Sequence, residues 1–245
     1  MYNFKKSESK IHIDGVVLMA TDHSLTYKKI KFRNLPHFLR KRELLKLVDT
    51  APKNTRAYAD FGCSNGYLTN LFAQILSPEK SFGFDHSDNI EIAQKTYSNI
   101  TFGYLNLNQA SQIDELADVI TCFETLEHVG DTFSAIKTLR SSCSKHGVVL
   151  ISVPIEIGLV GLIKYAIKRL IYRYPLKLNC GDLKYVLALA TGGDIGKYRI
   201  RADGYGSHFG FDYRAIDAEL DQVFSGFIIN RRNTFTTRFY HITKA

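Results

Sequence analysis

The sequence predicts an α/β fold built on a doubly wound, mostly parallel sheet of seven strands, with an inserted helical segment. Three observations predict this fold. Five short apolar segments alternate with amphipathic helical stretches, polar or glycine-rich residues follow the apolar segments, and two alternating segments close the chain. This βαβα order is typical of parallel strands covered by helices, a fold in which ligands bind at the carboxyl ends of the strands.

The individual elements follow from the spacing of apolar residues. The predicted parallel strands cover residues 57–61, 81–85, 100–105, 118–123 and 148–154. The predicted helices cover residues 33–50, 66–76, 88–97, 132–143 and 213–224. Residues 226–233 and 237–245 alternate in the manner of two antiparallel strands. Because these elements succeed one another with short connections, we expect one domain over residues 1–245, with an N-terminal helical segment over 1–50.

Residues 155–207 interrupt this order and are predicted to be an insertion. The insertion carries nine Lys or Arg and four Asp or Glu, so it contributes +5 of the chain's net charge of +8. Its apolar residues recur at helical spacing, at Leu159, Leu162, Ile163, Ala166, Ile167, Leu170 and Ile171. Two interpretations stay open. The segment is a lid for an anionic or lipid-linked substrate at a membrane surface, or an ordinary helix with a solvated basic face, which we favour for the helix itself.

Composition narrows the class of protein. The sequence contains no run of about 18 apolar residues, so no membrane span is predicted. The first ten residues have no apolar signal core. The four cysteines have no CxxC spacing, which argues against a disulfide framework or a cysteine zinc site. We therefore expect a cytoplasmic protein, with peripheral membrane contact through residues 155–207 as an open alternative. The net charge of +8 fits an anionic partner, such as nucleic acid, a phosphate-bearing substrate or a membrane, and equally a basic solvated surface.

A glycine-containing loop follows the first predicted strand of the parallel sheet. It reads Asp60-Phe61-Gly62-Cys63-Ser64-Asn65-Gly66. The glycines allow a sharp turn and a close approach to a ligand, and the next helix points its free N–H groups at that ligand. A nicotinamide-binding loop would read GxGxxG, but position 64 is serine here. The acidic Asp60 suits an ammonium or sulfonium group better than a pyrophosphate.

Polar residues also end the next strands. Asp85 ends the second strand, where a carboxylate can accept both hydroxyls of a ribose. The third strand ends at Asn106, whose amide can reach an adenine edge, and the fourth ends at Phe123-Glu124.

Three segments carry a resemblance to a known family. They read Asp-Phe-Gly-Cys-Ser-Asn-Gly (60–66), Gly-Phe-Asp (83–85) and Phe-Glu-Thr-Leu-Glu-His-Val (123–129). They resemble motifs of the class I S-adenosylmethionine-dependent methyltransferases, and the third is similar to the Glu-x-x-Glu-His-Val segment of ubiquinone-biosynthesis O-methyltransferases. The resemblance covers residues 55–154 well and 208–245 loosely, and it does not cover 1–30 or 155–207.

The resemblance implies a Rossmann-like methyltransferase fold with S-adenosylmethionine as cofactor. It implies that Asp60, Gly62 and Gly66 surround the methionine part, that Asp85 binds the ribose and that Asn106 lies near the adenine. Many relatives carry aspartate where this chain has Asn106, but an amide can still accept a hydrogen bond from the adenine amino group. The expected cofactor contacts are Asp60, Gly62, Cys63, Ser64, Gly66, Asp85, His86, Asn106 and Phe123.

The candidate catalytic residues are Glu124, His128 and His208. Glu124, Glu127 and His128 share one face if their segment is helical, and carboxylates with imidazoles bind Mg²⁺, Mn²⁺ or a similar ion. The later run that contains His208, Gly-Ser-His-Phe-Gly-Phe-Asp-Tyr (206–213), resembles a His-x-x-Phe-Glu-Trp type run of small-RNA 2′-O-methyltransferases. In those enzymes this run and a Glu-x-x-Glu-His motif hold Mg²⁺ on a vicinal diol.

That resemblance implies a metal site made of Glu124, Glu127, His128 and His208. Without a metal, His128 or His208 is the candidate general base. Many methyltransferases carry Leu-Glu-His with no metal, and His208 is then a residue of a surface loop.

The favoured function is O-methylation of a hydroxyl on a small molecule or glycan, including a glycan precursor carried on lipid. The first alternative is ribose 2′-O-methylation of RNA, which the basic charge and His208 support. The mixing of basic with apolar residues argues against a nucleic-acid surface. The second alternative is a cofactor-binding partner protein without catalysis. The sequence does not define the oligomeric state.

Overall fold

The structure, a computed structural model, describes residues 8–13, 16–21, 35–109, 111–172, 180–199 and 208–245. The strands of these residues form a seven-stranded sheet and a separate two-stranded sheet. The strands are β1 (Glu8–Ile13), β2 (Val16–Thr21), β3 (Ala57–Phe61), β4 (Lys80–Asp85), β5 (Thr101–Tyr104), β6 (Ala117–Phe123), β7 (Cys143–Pro154), β8 (Phe227–Asn233) and β9 (Thr237–Lys244). The helices are α1 (Leu35–Asp49), α2 (Tyr67–Leu76), α3 (Asn89–Thr96), α4 (Thr132–Ser142), α5 (Gly158–Tyr172), α6 (Cys180–Thr191) and α7 (Tyr213–Val223).

The large sheet has the strand order β5-β4-β3-β6-β7-β9-β8. Strand β3 pairs in parallel with β4 and β6, and β4 pairs in parallel with β5. The last two strands, β8 and β9, form an antiparallel pair in which Phe227 lies opposite Lys244. The predicted α/β class and the seven-stranded, mostly parallel sheet are therefore confirmed.

The N-terminal segment differs from the prediction. An N-terminal helical segment was predicted over 1–50, with its helix over 33–50, and α1 does form over Leu35–Asp49. Ahead of it, β1 and β2 form an antiparallel pair in which Ile13 lies opposite Val16. The β-branched and apolar residues of Val16–Thr21 favour an extended strand once a partner strand completes its hydrogen bonds.

The chain divides into two compact units. Unit 1 comprises residues 1–106, 113–121 and 142–150, and unit 2 comprises residues 107–112, 122–141 and 151–245. In unit 1, β3 is buried along its whole length, and Phe72 and Leu76 of α2 are buried as well. In unit 2, the core residues include Phe211, Leu220 and Tyr240, each at most 1% exposed. Burial of such apolar surface is the main stabilising contribution within each unit.

The insertion over 155–207 contains two helices that pack against each other, α5 and α6. A small core forms from residues of these helices and of their flanks, namely Ile157, Tyr185, Leu189 and Ile195, with Leu162 and Tyr165 packed against it. Residues 173–179 and 200–207 of the insertion lie outside the described residues. Among the described helices, none combines the length and the apolar character that crossing a membrane requires.

The opposite sides of these helices carry large apolar side chains that are exposed. On α5 they are Leu159 (72% exposed), Ile163 and Ile167, and on α6 they are Leu183 and Leu187. Each set has i, i+4 spacing, so it forms one stripe along its helix. We call these five residues the apolar stripe of the insertion.

Candidate functional site

The loop after β3 owes its shape to left-handed backbone conformations at alternate residues. Gly62, Ser64 and Gly66 have φ values of 84°, 49° and 74°. Glycine adopts this region without the Cβ clash that other residues meet, and Gly66 is the residue that caps the start of α2. The amides of Gly62 and Cys63 both donate to the Phe84 carbonyl of β4, at 2.7 and 3.1 Å. The loop is thereby fixed at the carboxyl ends of two neighbouring strands.

An aromatic ring fills the space that two glycines leave. A Cβ added at Gly66 would lie 2.7 Å from Cζ of Phe102, and one added at Gly83 would lie 2.6 Å from its Cδ1. Atoms at these distances overlap, so both positions exclude a side chain while Phe102 keeps its place. Phe102 was not predicted from the sequence as part of this site, because a buried aromatic residue in a short strand looks like ordinary core.

Asp60 lies beneath the loop in a buried hydrogen-bond network. Its two oxygens accept from the hydroxyls of Thr69 and Thr121, each at 2.6 Å. Because Thr121 gives its only hydroxyl proton to Asp60, Tyr58 is the donor in its 2.8 Å contact with Thr121. Burial raises the pKa of Asp60 to about 6, against the two threonine hydrogen bonds, which lower it.

Asp85 is oriented by backbone amides. Its Oδ2 accepts from the amide of Ser64 at 2.8 Å, and its Oδ1 accepts from the amide of Ser87 at 2.9 Å. A carboxylate has about four acceptor sites, so two such bonds leave capacity for hydroxyl donors. The next residue, His86, is 73% exposed in its side chain, and its Nδ1 lies 3.7 Å from Oδ1 of Asp85.

The remaining predicted cofactor residues fall into three environments. Asn106 follows β5 and is exposed, and Phe123 ends β6 and is buried. Strands β5, β4 and β3 are adjacent, so the carboxyl ends bearing Asn106, Asp85 and the glycine loop lie side by side. Cys63 is buried, and burial followed by the charge of Asp60 raises its pKa far above the ordinary range. Its thiol stays protonated, so Cys63 is a small buried residue and not a nucleophile.

Unit 2 contains a second group of polar side chains, Glu127, His128 and His208. One donor atom from each residue lies within 4.8 Å of the others. The Nε2 atoms of His128 and His208 are 3.2 Å apart, and Nε2 of His208 lies 4.0 Å from Oε1 of Glu127. Glu127 is completely buried, whereas the two histidines are accessible to solvent. We call these three residues the histidine–glutamate cluster.

The backbone around Glu124 explains why this residue is not a member of the cluster. The prediction assumed a helix over 124–128, but only Leu126–His128 form a single 3₁₀ turn. Glu124 has a φ of 51°. Its Oε1 accepts from the Ser152 hydroxyl at 3.0 Å, and its amide donates to the Ser152 carbonyl at 3.0 Å. The structure therefore brings together three of the four predicted metal ligands.

The turn that carries His208 is closely packed. His208 and Gly210 both have left-handed conformations, with φ values of 57° and 73°. A Cβ at Gly210 would lie 2.5 Å from the backbone nitrogen of Arg199, so only glycine fits there. The amide of Gly210 donates to the hydroxyl of Tyr185, at 3.4 Å. A left-handed histidine is strained, and contacts of this kind hold it in place.

Two charged residues beside the cluster were not predicted from the sequence. Oε1 of Glu156 lies 3.5 Å from Nδ1 of His208 and 3.2 Å from Nζ of Lys164. Glu156 directly follows Ile155 after β7, and Lys164 lies on α5. Their sequence spacing gave only a weak signal, because an acidic residue and a lysine eight positions apart are common on protein surfaces.

Arg199 connects the insertion to the cluster's backbone. Its guanidinium donates to the carbonyls of Glu127, at 2.7 Å, and Val129, at 3.0 Å. It also lies over the Phe211 ring, 5.2 Å from the centroid. Hydrogen bonds from a charged group are among the stronger ones in proteins, so Arg199 fixes the 3₁₀ turn from the side of the insertion.

The cluster has the composition and spacing of a metal-binding group. Two ligands about 2.1 Å from one ion are roughly 3.0–3.4 Å apart in octahedral or tetrahedral geometry. The 3.2 Å between the two Nε2 atoms falls in that range. Two imidazoles and a carboxylate form a set that binds divalent ions with open positions for other ligands. The residue types of the cluster and the spacing of its two histidines therefore fit a divalent metal ion. The 4.0 Å between Nε2 of His208 and Oε1 of Glu127 exceeds that range, so the carboxylate would have to move closer to bind the same ion.

Comparison with known proteins places the chain in a family. A model of the methyltransferase-domain family matches residues 32–176, more than half of the chain. A tRNA U34 carboxymethyltransferase of Campylobacter fetus is 33% identical over 129 residues, covering 50% of this chain and 40% of that protein. A ubiquinone biosynthesis O-methyltransferase of Haemophilus ducreyi is 32% identical over 103 residues, covering 38% of this chain and 43% of that protein. The chain thus spans about two fifths of the length of these curated relatives.

The fold is shared with solved structures of low sequence identity. The crystal structure of a SAM-dependent methyltransferase from Aquifex aeolicus superposes with a TM-score of 0.53 at 8% identity, covering 84% of this chain and 89% of that chain. This likeness shows the fold, and the family match over residues 32–176 shows the class of protein. The chain belongs to the class I S-adenosylmethionine-dependent methyltransferases, in the methyltransferase-domain family.

Proposed function

We propose that this protein transfers the methyl group of S-adenosylmethionine to a hydroxyl oxygen of a small molecule or glycan. Methyl transfer and its cofactor rest on family membership. The hydroxyl acceptor rests on one observation, the histidine–glutamate cluster formed by Glu127, His128 and His208. A hydroxyl needs to lose its proton as it attacks, and this cluster contains groups that can assist that loss.

The loop after β3 and the end of β4 are the proposed cofactor site. The loop turns its backbone sharply at Gly62, Ser64 and Gly66, so a ligand can approach the main chain and the start of α2. Asp85 is already oriented by two amides and has acceptor capacity left for the ribose hydroxyls. Asp60 supplies a buried carboxyl beneath the loop, near the place proposed for the sulfonium-bearing part.

The reaction itself is a direct displacement. The acceptor oxygen forms a bond to the methyl carbon while the sulfur–carbon bond breaks, and S-adenosylhomocysteine leaves as a neutral thioether. The acceptor proton passes to a base or to water. A bound divalent ion lowers the pKa of a coordinated hydroxyl and fixes its position. Glu127, His128 and His208 would hold that ion. The two imidazoles favour Fe²⁺ or Zn²⁺ over Mg²⁺, and the carboxylate also suits Mn²⁺.

The insertion supports an acceptor that is presented at a membrane. Five of the ten large apolar side chains that are exposed in the described part of the chain belong to the apolar stripe of α5 and α6. The insertion has a net charge of +5, which complements anionic lipid head groups. An exposed apolar stripe with basic neighbours is typical of helices that lie in a membrane interface. We therefore propose peripheral contact with an anionic lipid surface and a lipid-linked acceptor.

RNA ribose methylation is the second candidate. The chain's net charge of +8 and its similarity to a protein named as a tRNA carboxymethyltransferase favour this candidate. Binding to RNA through phosphates would weaken steeply with salt. Salt-dependent RNA binding that competes with the small-molecule acceptor would favour RNA ribose methylation as the function.

The test of the proposal is a methyl-transfer assay with diol and sugar acceptors, before and after removal of divalent ions by a chelator. We expect activity to fall on chelation and to return with Mn²⁺. His208→Asn should lose at least 100-fold in turnover and bind Mn²⁺ weakly in calorimetry, whereas the exposed His146→Asn should match the wild type. Activity that resists chelation but is lost in His208→Asn would assign the histidine as a general base. Full activity in both variants would refute the proposed site.

A further inference from the structure

His208 presents its two ring nitrogens to two different groups. Nε2 faces the cluster, 3.2 Å from Nε2 of His128. Nδ1 faces the opposite way, 3.5 Å from Oε1 of Glu156. A histidine is a metal ligand through the nitrogen that carries a lone pair, so the location of the ring proton decides whether Nε2 can coordinate.

Glu156 is held rigidly enough to influence that proton. Its side chain is only 9% exposed, and Lys164 lies 3.2 Å away with a side chain that is 20% exposed. The same lysine donates to the carbonyls of Ile155, at 2.8 Å, and Thr236, at 3.3 Å. A buried carboxylate is stable when it is paired with a cation, and here three contacts of the lysine fix the position of that cation.

We propose that Glu156, held by Lys164, is a positioning residue for His208. The carboxylate favours a proton on Nδ1, which leaves the lone pair of Nε2 directed at Glu127 and His128. A carboxylate behind a metal-binding histidine fixes its tautomer and ring orientation and increases its basicity. This inference rests on the proposed metal-dependent function of the cluster. It assigns to the insertion, through Lys164, a part in building the metal site.

A purely structural role makes a different prediction. If the Glu156–Lys164 pair only connects the end of β7 to α5, its removal lowers stability and leaves both the tautomer of His208 and the metal affinity unchanged. If Glu156 positions His208, both properties change even in a variant that folds normally. The two roles are therefore separable by measurements that do not depend on turnover.

The experiment compares the full-length wild type with Glu156→Gln and with Glu156→Gln/Lys164→Met. The double variant removes both charges, so it avoids leaving the lysine charge opposite a neutral residue 156 if the single variant is unstable. Glu219→Gln is the matched control, because Glu219 is a half-buried carboxylate of the same unit that accepts from the Thr132 hydroxyl, at 3.0 Å. Long-range ¹H–¹⁵N NMR reports the His208 tautomer in metal-free protein, and calorimetry reports Mn²⁺ affinity.

We expect the wild type and Glu219→Gln to hold the proton of His208 on Nδ1, and both Glu156 variants to show a mixture of tautomers. We also expect the Glu156 variants to bind Mn²⁺ roughly 10- to 100-fold more weakly. An unchanged tautomer, with Mn²⁺ affinity within about twofold of the wild type, would overturn the inference. Absence of Mn²⁺ binding in the wild type would refute the metal-dependent function, while the NMR comparison would still decide whether Glu156 orients His208.

Discussion

Replacing Gly66 with alanine should destabilise the protein through two separable effects. The residue has a φ of 74°, where an L-amino acid costs roughly 1–2 kcal/mol more than glycine. The new Cβ would also lie 2.7 Å from Cζ of Phe102 and 3.1 Å from Cβ of Ala93. Overpacking of a buried site costs about 1–3 kcal/mol. We therefore expect the free energy of unfolding of Gly66→Ala to fall by roughly 2–5 kcal/mol.

The matched control is Gly226→Ala. Gly226 has a φ of 82°, and a Cβ there would meet nothing within 4 Å. This variant carries the backbone strain without the clash, so it should lose only about 1–2 kcal/mol. The difference between the two variants isolates the contacts with Phe102 and Ala93.

A double-mutant cycle with Phe102→Leu completes the test. Leucine lacks the ring atoms Cζ and Cε1 that lie 2.7 and 3.0 Å from the new Cβ. In this background only the 3.1 Å contact with Ala93 remains, so Gly66→Ala should cost little more than Gly226→Ala, and the coupling energy should be roughly 1–3 kcal/mol. Urea denaturation followed by circular dichroism measures all the variants. Equal losses in Gly66→Ala and Gly226→Ala, or a coupling near zero, would refute the packing argument.

Two further predictions concern Asp60 and the insertion. Burial raises the pKa of Asp60 from 3.8 to about 6, so ionisation of this carboxyl penalises the folded state. From pH 4 to pH 7 the wild type should lose roughly 2–2.5 kcal/mol of stability relative to Asp60→Asn, and a pH-independent difference in urea denaturation would contradict this. The double variant Leu159→Ser/Ile163→Ser should bind phosphatidylglycerol vesicles at least tenfold more weakly than the wild type in sedimentation assays. Ile228→Ser, which changes an exposed residue of β8, should bind normally, and equal binding by all three proteins would refute the membrane surface.

The parallel strands and helices were predictable because their signal is local. The apolar spacing of residues 57–61 and 118–123 and the turn glycines at 62 and 66 determine both the elements and the place of the cofactor loop. The pairing of β1 with β2 was not predictable, because a short strand is stabilised by its partner and not by its own spacing.

The candidate site was predictable in its residue types and less so in its geometry. The motif supplied Glu127 and His128, and similarity to another family supplied His208. Periodicity wrongly grouped Glu124 with them, since its left-handed backbone and its bonds to Ser152 depend on β7. Glu156 was missed for the same reason, because its contact with His208 joins segments about fifty residues apart.

The most direct test of the account is calorimetric titration of S-adenosylmethionine into the wild type, Asp85→Asn and Asp49→Ala. Asp49 is an exposed aspartate on the surface of α1, and it controls for the loss of one negative charge. Hydrogen bonds to a charged group are worth about 1.5–3 kcal/mol, so Asp85→Asn should bind at least about tenfold more weakly while Asp49→Ala binds like the wild type. Thermal unfolding verifies that each protein is folded. A folded wild type that does not bind S-adenosylmethionine, or an Asp85→Asn variant that binds as tightly as the wild type, would contradict the assignment of the cofactor site.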